Sequence, residues 1–181
     1  WDMPIVQRVA SGSAELVRIG DANPDIHLGV SNNVQWRDFT FYALVDAQMG
    51  GDVYNQTNQR MYQYGRSADV DQVGKPQELK KTIDYYGALY AANNPTDYFV
   101  EDAGFVKLRE LLVSAGVPTR WLNRLPNLGV TGMRVSLVGR NLLTFTDYKG
   151  YDPEVGGVIT RLDSFDYPRF RTFTGSVEIT F

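Results

Sequence analysis

The chain of 181 residues contains no cysteine and one histidine, His27. The first absence removes disulfide scaffolds, thiolate nucleophiles and the common cysteine-bound zinc sites. The second removes a multi-histidine metal centre, so no metal or cofactor is expected. Charge of one sign is not in excess either: 18 Lys and Arg stand against 21 Asp and Glu, a formal net charge of −3. Phosphate backbones attract clustered Lys and Arg, which this scatter does not provide, so nucleic acid is excluded as a partner. No run reaches the roughly 18 consecutive apolar residues of a membrane-crossing helix, and mean hydropathy is −0.29. That exclusion covers helices only. A membrane-crossing strand needs only about 9–11 residues of alternating polarity, which leaves the average unremarkable. The opening Trp1-Asp2-Met3-Pro4 shows no initiating Met and no signal peptide and reads as the interior of a longer polypeptide.

What the chain does have is rings: 11 Tyr, 9 Phe and 3 Trp. Several fall in alternating strands. In residues 27–36, Leu28, Val30, Asn32, Val34 and Trp36 share one parity and are mostly apolar, against His27, Gly29, Ser31, Asn33 and Gln35. In residues 39–48, Phe39, Phe41, Ala43, Val45 and Ala47 alternate with Thr40, Tyr42, Leu44, Asp46 and Gln48. A two-residue turn at Arg37-Asp38 sets Trp36 opposite Phe39, Val34 opposite Phe41 and Val30 opposite Val45, so that both apolar sets share one face. The C-terminus repeats the pattern, with Phe173, Gly175, Val177, Ile179 and Phe181 against Thr172, Thr174, Ser176, Glu178 and Thr180. Met133, Val135 and Leu137 against Arg134, Ser136 and Arg140 give another strand, with Val138 the exception. Residues 105–113 are ambiguous, because Leu108, Leu111 and Leu112 fit a helical face and propensity alone favours helix.

The connection from Gly50 to about Phe99 is long for a compact domain. It holds Asn55-Gln56-Thr57-Asn58, Gly74-Lys75-Pro76 and Asn93-Asn94-Pro95 as turn signals. Residues 77–92, with Leu79, Ile83, Tyr86 and Tyr90 at helical spacing beside Lys80 and Lys81, predict a surface helix. Residues 143–168 and 1–24 are similarly rich in turns.

Motifs with chemical meaning do not survive inspection. Asp69-Val70-Asp71 begins like a calcium loop, but Val73 and Lys80 occupy the fifth and twelfth positions. The triplet Asn55-Gln56-Thr57 matches a glycosylation sequon, but such triplets are common by chance and it reads as plain polar loop. Glu101-Asp102 and Asp152 with Glu154 are sequence neighbours, which does not make them carboxyls flanking a glycosidic bond. A serine triad would depend on His27, with no nucleophile elbow anywhere. No catalytic residue is assigned.

The ordered set Ile19-Gly20-Asp21-Ala22-Asn23-Pro24-Asp25, Gly50-Gly51-Asp52-Val53-Tyr54-Asn55, Val100-Glu101-Asp102-Ala103-Gly104-Phe105-Val106-Lys107-Leu108-Arg109, Gly139-Arg140-Asn141-Leu142, Tyr148-Lys149-Gly150-Tyr151-Asp152-Pro153-Glu154 and Tyr167-Pro168-Arg169 resembles the late barrel of SusC/RagA-type TonB-dependent outer-membrane transporters. The resemblance runs from about Ile19 to Phe181. It implies an all-β membrane protein: about five C-terminal strands of a large antiparallel outer-membrane β-barrel, with long extracellular loops carrying short helices. It turns residues 105–115 into a strand against their propensity. Such barrels have about 22 strands and an N-terminal plug, so residues 1–181 would be the C-terminal portion of the barrel domain, without plug or earlier strands.

The resemblance further implies import of bulky nutrients, glycans or peptides, across the bacterial outer membrane. The partners it brings are a SusD-like surface lipoprotein, the TonB system through the absent N-terminal part, the remaining barrel strands of the same or another chain, and outer-membrane lipid. Trp36, Phe39 and Phe41 are then lipid-facing girdle. Leu28, Val30, Val34, Val45, Val135, Leu137, Val177 and Ile179 join them on the lipid face, while Ser31, Asn33, Thr40, Asp46, Arg134, Arg140, Thr174 and Glu178 face the lumen. Phe181 with Ile179 and Val177 looks like a barrel-assembly signal, and Tyr148, Tyr151 and Asp152 are candidate contacts for substrate or lid. Two other readings account for part of the pattern: a secreted β-sandwich module gripping carbohydrate with exposed tyrosines, and a structural split-barrel component that imports nothing.

Overall fold

The structure, a computed structural model, describes residues 8–13, 15–91, 94, 96–123, 129–157 and 160–181. In chain order the strands are β1 Ile26–Trp36, β2 Phe39–Met49, β3 Asp52–Asn55, β4 Val100–Asp102, β5 Phe105–Gly116, β6 Gly132–Phe145, β7 Leu162–Asp163 and β8 Thr172–Thr180. The helices are α1 Gln56–Gln63, α2 Ile83–Leu89 and α3 Thr119–Leu122. The chain forms two compact units. A sheet unit comprises Asp25–Met49, Gly104–Asp147 and Arg169–Phe181, and a loop unit comprises Trp1–Pro24, Gly50–Ala103 and Tyr148–Pro168. The expected start of the chain as the interior of a longer polypeptide, and the turn residues Asn93 and Pro95, lie outside the described residues.

The sheet unit is a five-stranded antiparallel sheet in the order β1-β2-β5-β6-β8. The β1–β2 hairpin has the register expected from alternation, from Trp36 opposite Phe39 to Ile26 opposite Met49. Its tight turn puts Arg37 at φ 54°, as a two-residue loop between right-twisted strands requires. Its guanidinium lies 5.4 Å over the Trp36 ring. Residues 105–116 are strand throughout. With β2 on one side and β6 on the other, most residues of the strand have a ladder neighbour on both sides, and this outweighs a few tenths of a kcal/mol per residue of helix preference. The β6 strand continues to Phe145, past the Arg140 at which alternation was legible.

The register shifts at one level of the sheet. Leu44 and Val45 face Glu110 and Leu108 across β2–β5, and Leu108 and Glu110 face Leu143 and Arg140 across β5–β6. Each strand therefore gains a residue on its neighbour, a bulge that adds twist. On β6 the accommodation falls at Asn141, with φ 52°, whose side-chain amide donates to the Phe170 carbonyl at 3.0 Å.

The loop unit holds the three-stranded sheet β4-β3-β7, which alternation did not reveal. Val53, Ala103, Tyr148 and Val155 form one core, and Tyr62, Val70 and Phe99 a second, against which Tyr54, Tyr86 and Tyr90 pack. Helix α1 occupies a stretch expected to be turn. Asn55 caps it, its Oδ1 accepting from the Asn58 amide at 2.8 Å while its Nδ2 donates to Glu101 at 3.1 Å. Asn55 is buried, so the sequon reads as a cap and not as a glycan acceptor. The single helix expected over residues 77–92 is interrupted: a 3-10 turn at Gln77–Leu79 precedes α2. The Lys81 amide donates to Gln72 Oε1 at 2.8 Å, and Lys80 is extended, so a continuous helical ladder cannot pass.

Candidate functional site

Because directly opposed residues share a face, the five strands sort their side chains without ambiguity. One face carries the rows Trp36–Phe39, Val34–Phe41–Val113–Leu137 and Ala43–Leu111–Gly139–Phe173. It continues through Val30, Val45, Val106, Leu143, Phe145 and Val177, all exposed. Trp36, Phe39 and Phe41 stack in sequence with centroids 6.1 and 6.2 Å apart. Soluble monomers rarely expose contiguous apolar surface on this scale. Val177 and Ile179 pair with Val135 and Met133 on this face, and Phe181 follows β8 with its ring exposed.

The opposite face is polar and internally paired. Asp46 accepts from Arg109 Nε at 2.8 Å and Nη2 at 2.5 Å, and its other oxygen lies 2.7 Å from His27 Nε2. Arg140 Nε donates to Glu110 at 2.7 Å, and Arg134 Nη1 donates to Ser114 Oγ at 3.3 Å. The expected lumen-side residues Asp46, Arg134 and Arg140 each meet a partner on β5, at separate levels of the sheet: Arg109, Ser114 and Glu110 respectively. Arg109 is the member that alternation missed, because the bulge gives it a place on this face beside Glu110. Tyr42, Leu112 and Val138 form one row on the same side, so the Val138 exception belongs to a stripe of larger side chains. His27 is a hydrogen-bonding neighbour of Asp46 here. Among the described residues, no three His, Cys, Asp or Glu side chains group to hold a metal.

In the loop unit, the three expected contact residues separate. Tyr148 is buried, its hydroxyl donating to Asp163 Oδ2 at 2.5 Å, and Asp163 also accepts from Thr57 at 2.6 Å. The Tyr148 ring lies across Gly150, where a Cβ would come within 2.3 Å of it. Asp152 is buried too, accepting from the Glu154 amide at 3.0 Å. These two hold the loop. Tyr151, 82% exposed, is the one of the three that presents its ring outward.

A tyrosine cluster, unforeseen as a unit, occupies the same unit. Tyr62 meets Tyr86, Tyr90, Tyr98 and Phe99 at centroid distances of 6.2, 5.2, 5.9 and 5.5 Å. The i, i+4 spacing of Tyr86 and Tyr90 was its one visible trace. Tyr62 donates to the Asp69 carboxylate, and Gln59, fully buried, accepts from Tyr54 and donates to the Ala91 and Asn94 carbonyls. Burial, reinforced by the Asp69 carboxylate, holds the Tyr62 hydroxyl far above the ordinary phenol range. Burial, then Asp163, does the same for Tyr148. Burial, with neighbouring tyrosines, pushes Tyr90 up to about 12.

An unfolded tyrosine ionises near pH 10. A raised folded value therefore stabilises the loop unit below about pH 10 and loses that contribution as pH climbs toward about 12. Alkaline titration of the full-length protein, followed by tyrosinate absorbance, should show a late-ionising class that appears together with new protease cleavage in residues 50–103. A single transition near pH 10, with every ring titrating together, would contradict it.

The chain matches no protein-family model. It is 28% identical over 172 residues to TonB-dependent receptor P3 of Formosa agariphila, covering 90% of this chain and 17% of the receptor. It is 24% identical over 180 residues to TonB-dependent receptor P26 of the same organism, covering 92% and 18%. The chain spans less than a fifth of the length of these curated relatives. Its fold matches the RagAB peptide importer in a closed-closed state at a TM-score of 0.64 and 23% identity, over 97% of this chain and 20% of the other. The open-open state gives 0.63 and 21%, over 97% and 19%. These relatives are receptors and an importer, not enzymes. In sequence over nine-tenths of its length and in fold over nearly all of it, the chain is similar to TonB-dependent receptors and the RagAB importer, as its SusC/RagA-type motifs imply.

Proposed function

We propose that the chain forms the C-terminal wall and outer loops of a TonB-dependent β-barrel in the bacterial outer membrane, one that imports glycans or peptides with a SusD-like lipoprotein. The observation that carries this is a sheet with one largely apolar exposed face, one ion-paired polar face and, among the described residues, no strand paired to the outer edges of β1 and β8. Backbone groups left open in lipid cost several kcal/mol each. The remaining strands, plug and TonB-binding segment therefore belong to the rest of the polypeptide or to another one.

Orientation follows from the connections. Arg37-Asp38 and residues 117–131 join strands at one end of the sheet, while residues 50–104 and 146–171 leave from the other. Outer-membrane barrels keep short turns in the periplasm and long loops outside. The apolar face then meets lipid and the Asp46–Arg109 face lines the lumen.

The full-length protein should fractionate with the outer membrane, migrate heat-modifiably on a gel, and support uptake of a glycan or peptide that disappears when its gene is deleted. A soluble monomer would favour the carbohydrate-binding module. An outer-membrane barrel whose deletion leaves uptake unchanged would favour the structural component.

A further inference from the structure

We infer that helix α1 and the segment after β7 form a binding site for a uronic acid unit of an acidic glycan, with Arg60 holding the carboxylate and the Phe165 ring carrying the sugar. This deepens the import reading above and rests on it. Arg60 lies one helical turn beyond Gln56 and Thr57, and a helical side chain leans back over the turn that precedes it. That turn is where the segment after β7 attaches. Ser164 Oγ donates to Gln56 Oε1 at 3.0 Å, and the Phe165 amide donates to Thr57 Oγ1 at 2.7 Å.

Arg60 Nε is shut off from solvent and has no hydrogen-bond partner, and among the described residues its guanidinium makes no ion pair. The acids of the facing segment are engaged elsewhere, Asp163 by Tyr148 and Thr57, and Asp166 by the Gly156 amide. A buried N–H of a cation left without an acceptor is costly, so the site calls for an acceptor from outside the chain, and a carboxylate suits the planar fork. Beside it Phe165 sits at φ 62°, in the left-handed region that a non-glycine residue holds only when its surroundings impose it. Its ring is 58% exposed, and Tyr64, one turn beyond Arg60 on the same helix face, is 65% exposed. Gln56, with its Oε1 taken by Ser164, keeps its amide N–H groups for a hydroxyl. A uronate bears its carboxylate directly on a pyranose, so one unit reaches the Arg60 fork and covers the neighbouring ring. An Asp or Glu side chain of a peptide would satisfy the guanidinium and leave Phe165 bare, so the ligand is an acidic sugar.

The test uses the full-length protein in detergent, titrated with trigalacturonate, with its methyl ester and with tetraglutamate. The wild type should bind the acid about tenfold more tightly than the ester. R60Q should abolish that preference while residues 50–103 keep their protease resistance, and R60K should retain part of it, since charge survives without the fork. F165G supplies the residue that a positive φ favours, so the loop stays folded, and it should weaken acid and ester alike by about three- to tenfold. Tetraglutamate, which offers carboxylates without a pyranose, should bind more weakly than trigalacturonate and be insensitive to F165G. Equal binding of acid and ester by the wild type, an R60Q variant that keeps the preference, an unaffected F165G, or tetraglutamate binding as tightly as trigalacturonate would overturn the inference. Wild-type binding with the expected preference, in cells whose uptake of the acid is unchanged when the gene is deleted, would instead overturn the import reading and leave the site in place.

Discussion

Replacing Phe99 with Ala is expected to remove about 3–5 kcal/mol from the loop unit while the five-stranded sheet persists. Phe99 is fully buried, and its ring receives Tyr54, Tyr62, Tyr90 and Tyr98 edge-on at centroid distances of 6.5, 5.5, 5.1 and 5.1 Å. Truncation loses the transferred apolar surface, leaves a void that four rings cannot close together, and removes edge-to-face contacts of about 0.5–1.5 kcal/mol each. Phe99→Leu keeps most of the volume and should cost less than about 1.5 kcal/mol. Limited proteolysis or hydrogen exchange of the full-length protein reads the difference: protection should fall across residues 50–103 in the alanine variant and stay intact in β2, β5 and β6. Unchanged protection in Phe99→Ala would show that the tyrosine cluster does not hold the loop together.

Leu137→Arg should block outer-membrane assembly, whereas Ser136→Arg on the adjacent position should be tolerated. Leu137 sits in the row Phe41–Val113–Leu137–Gly175, near the middle of the strands and on the apolar face. An arginine facing lipid near the midplane costs about 2–4 kcal/mol. Ser136 lies in the row Thr40–Ser114–Ser136–Ser176 on the other face, where Arg134 already meets Ser114 and water can solvate a charge. Val177→Arg and Ser176→Arg repeat the contrast one strand over, nearer the short-turn end, with a smaller difference because the cost falls toward the interface. The readouts are outer-membrane abundance and heat-modifiable migration. Equal effects at positions 136 and 137 would refute the face assignment.

The motifs that carry the resemblance have a physical basis in the loop and strand geometry. In Ile19-Gly20-Asp21-Ala22-Asn23, Asp21 Oδ1 accepts from both the backbone and side chain of Asn23, which holds its carboxyl below the usual range. Gly20 lies so close to Asp52 and Val100 that a Cβ would approach each at 3.0 Å. Gly139-Arg140-Asn141-Leu142 is the bulge in β6, and Tyr148-Lys149-Gly150 is a ring folded over a glycine. Their work is architectural, which explains why two of the three residues expected to touch substrate, Tyr148 and Asp152, are instead buried in the loop.

Sequence alone was enough for the alternation, the Arg37-Asp38 register and the sorting of residues into an apolar and a polar face, because strand periodicity and a two-residue turn are encoded by near neighbours. The Asn55 cap was equally local and went unread, its polar run having the look of turn. Tertiary structure decided the rest. Residues 105–116 became strand only because two other strands offered their edges. Arg109 reached Asp46 only through a bulge whose register depends on three strands at once. The tyrosine cluster joins Tyr62 to Tyr98 across 36 positions, and Tyr148 sank beside Asp163 because Thr57, far away in sequence, shares that carboxylate. Contacts of that separation leave no periodic trace, since what selects them is the packing of one core and not the repeat of one element.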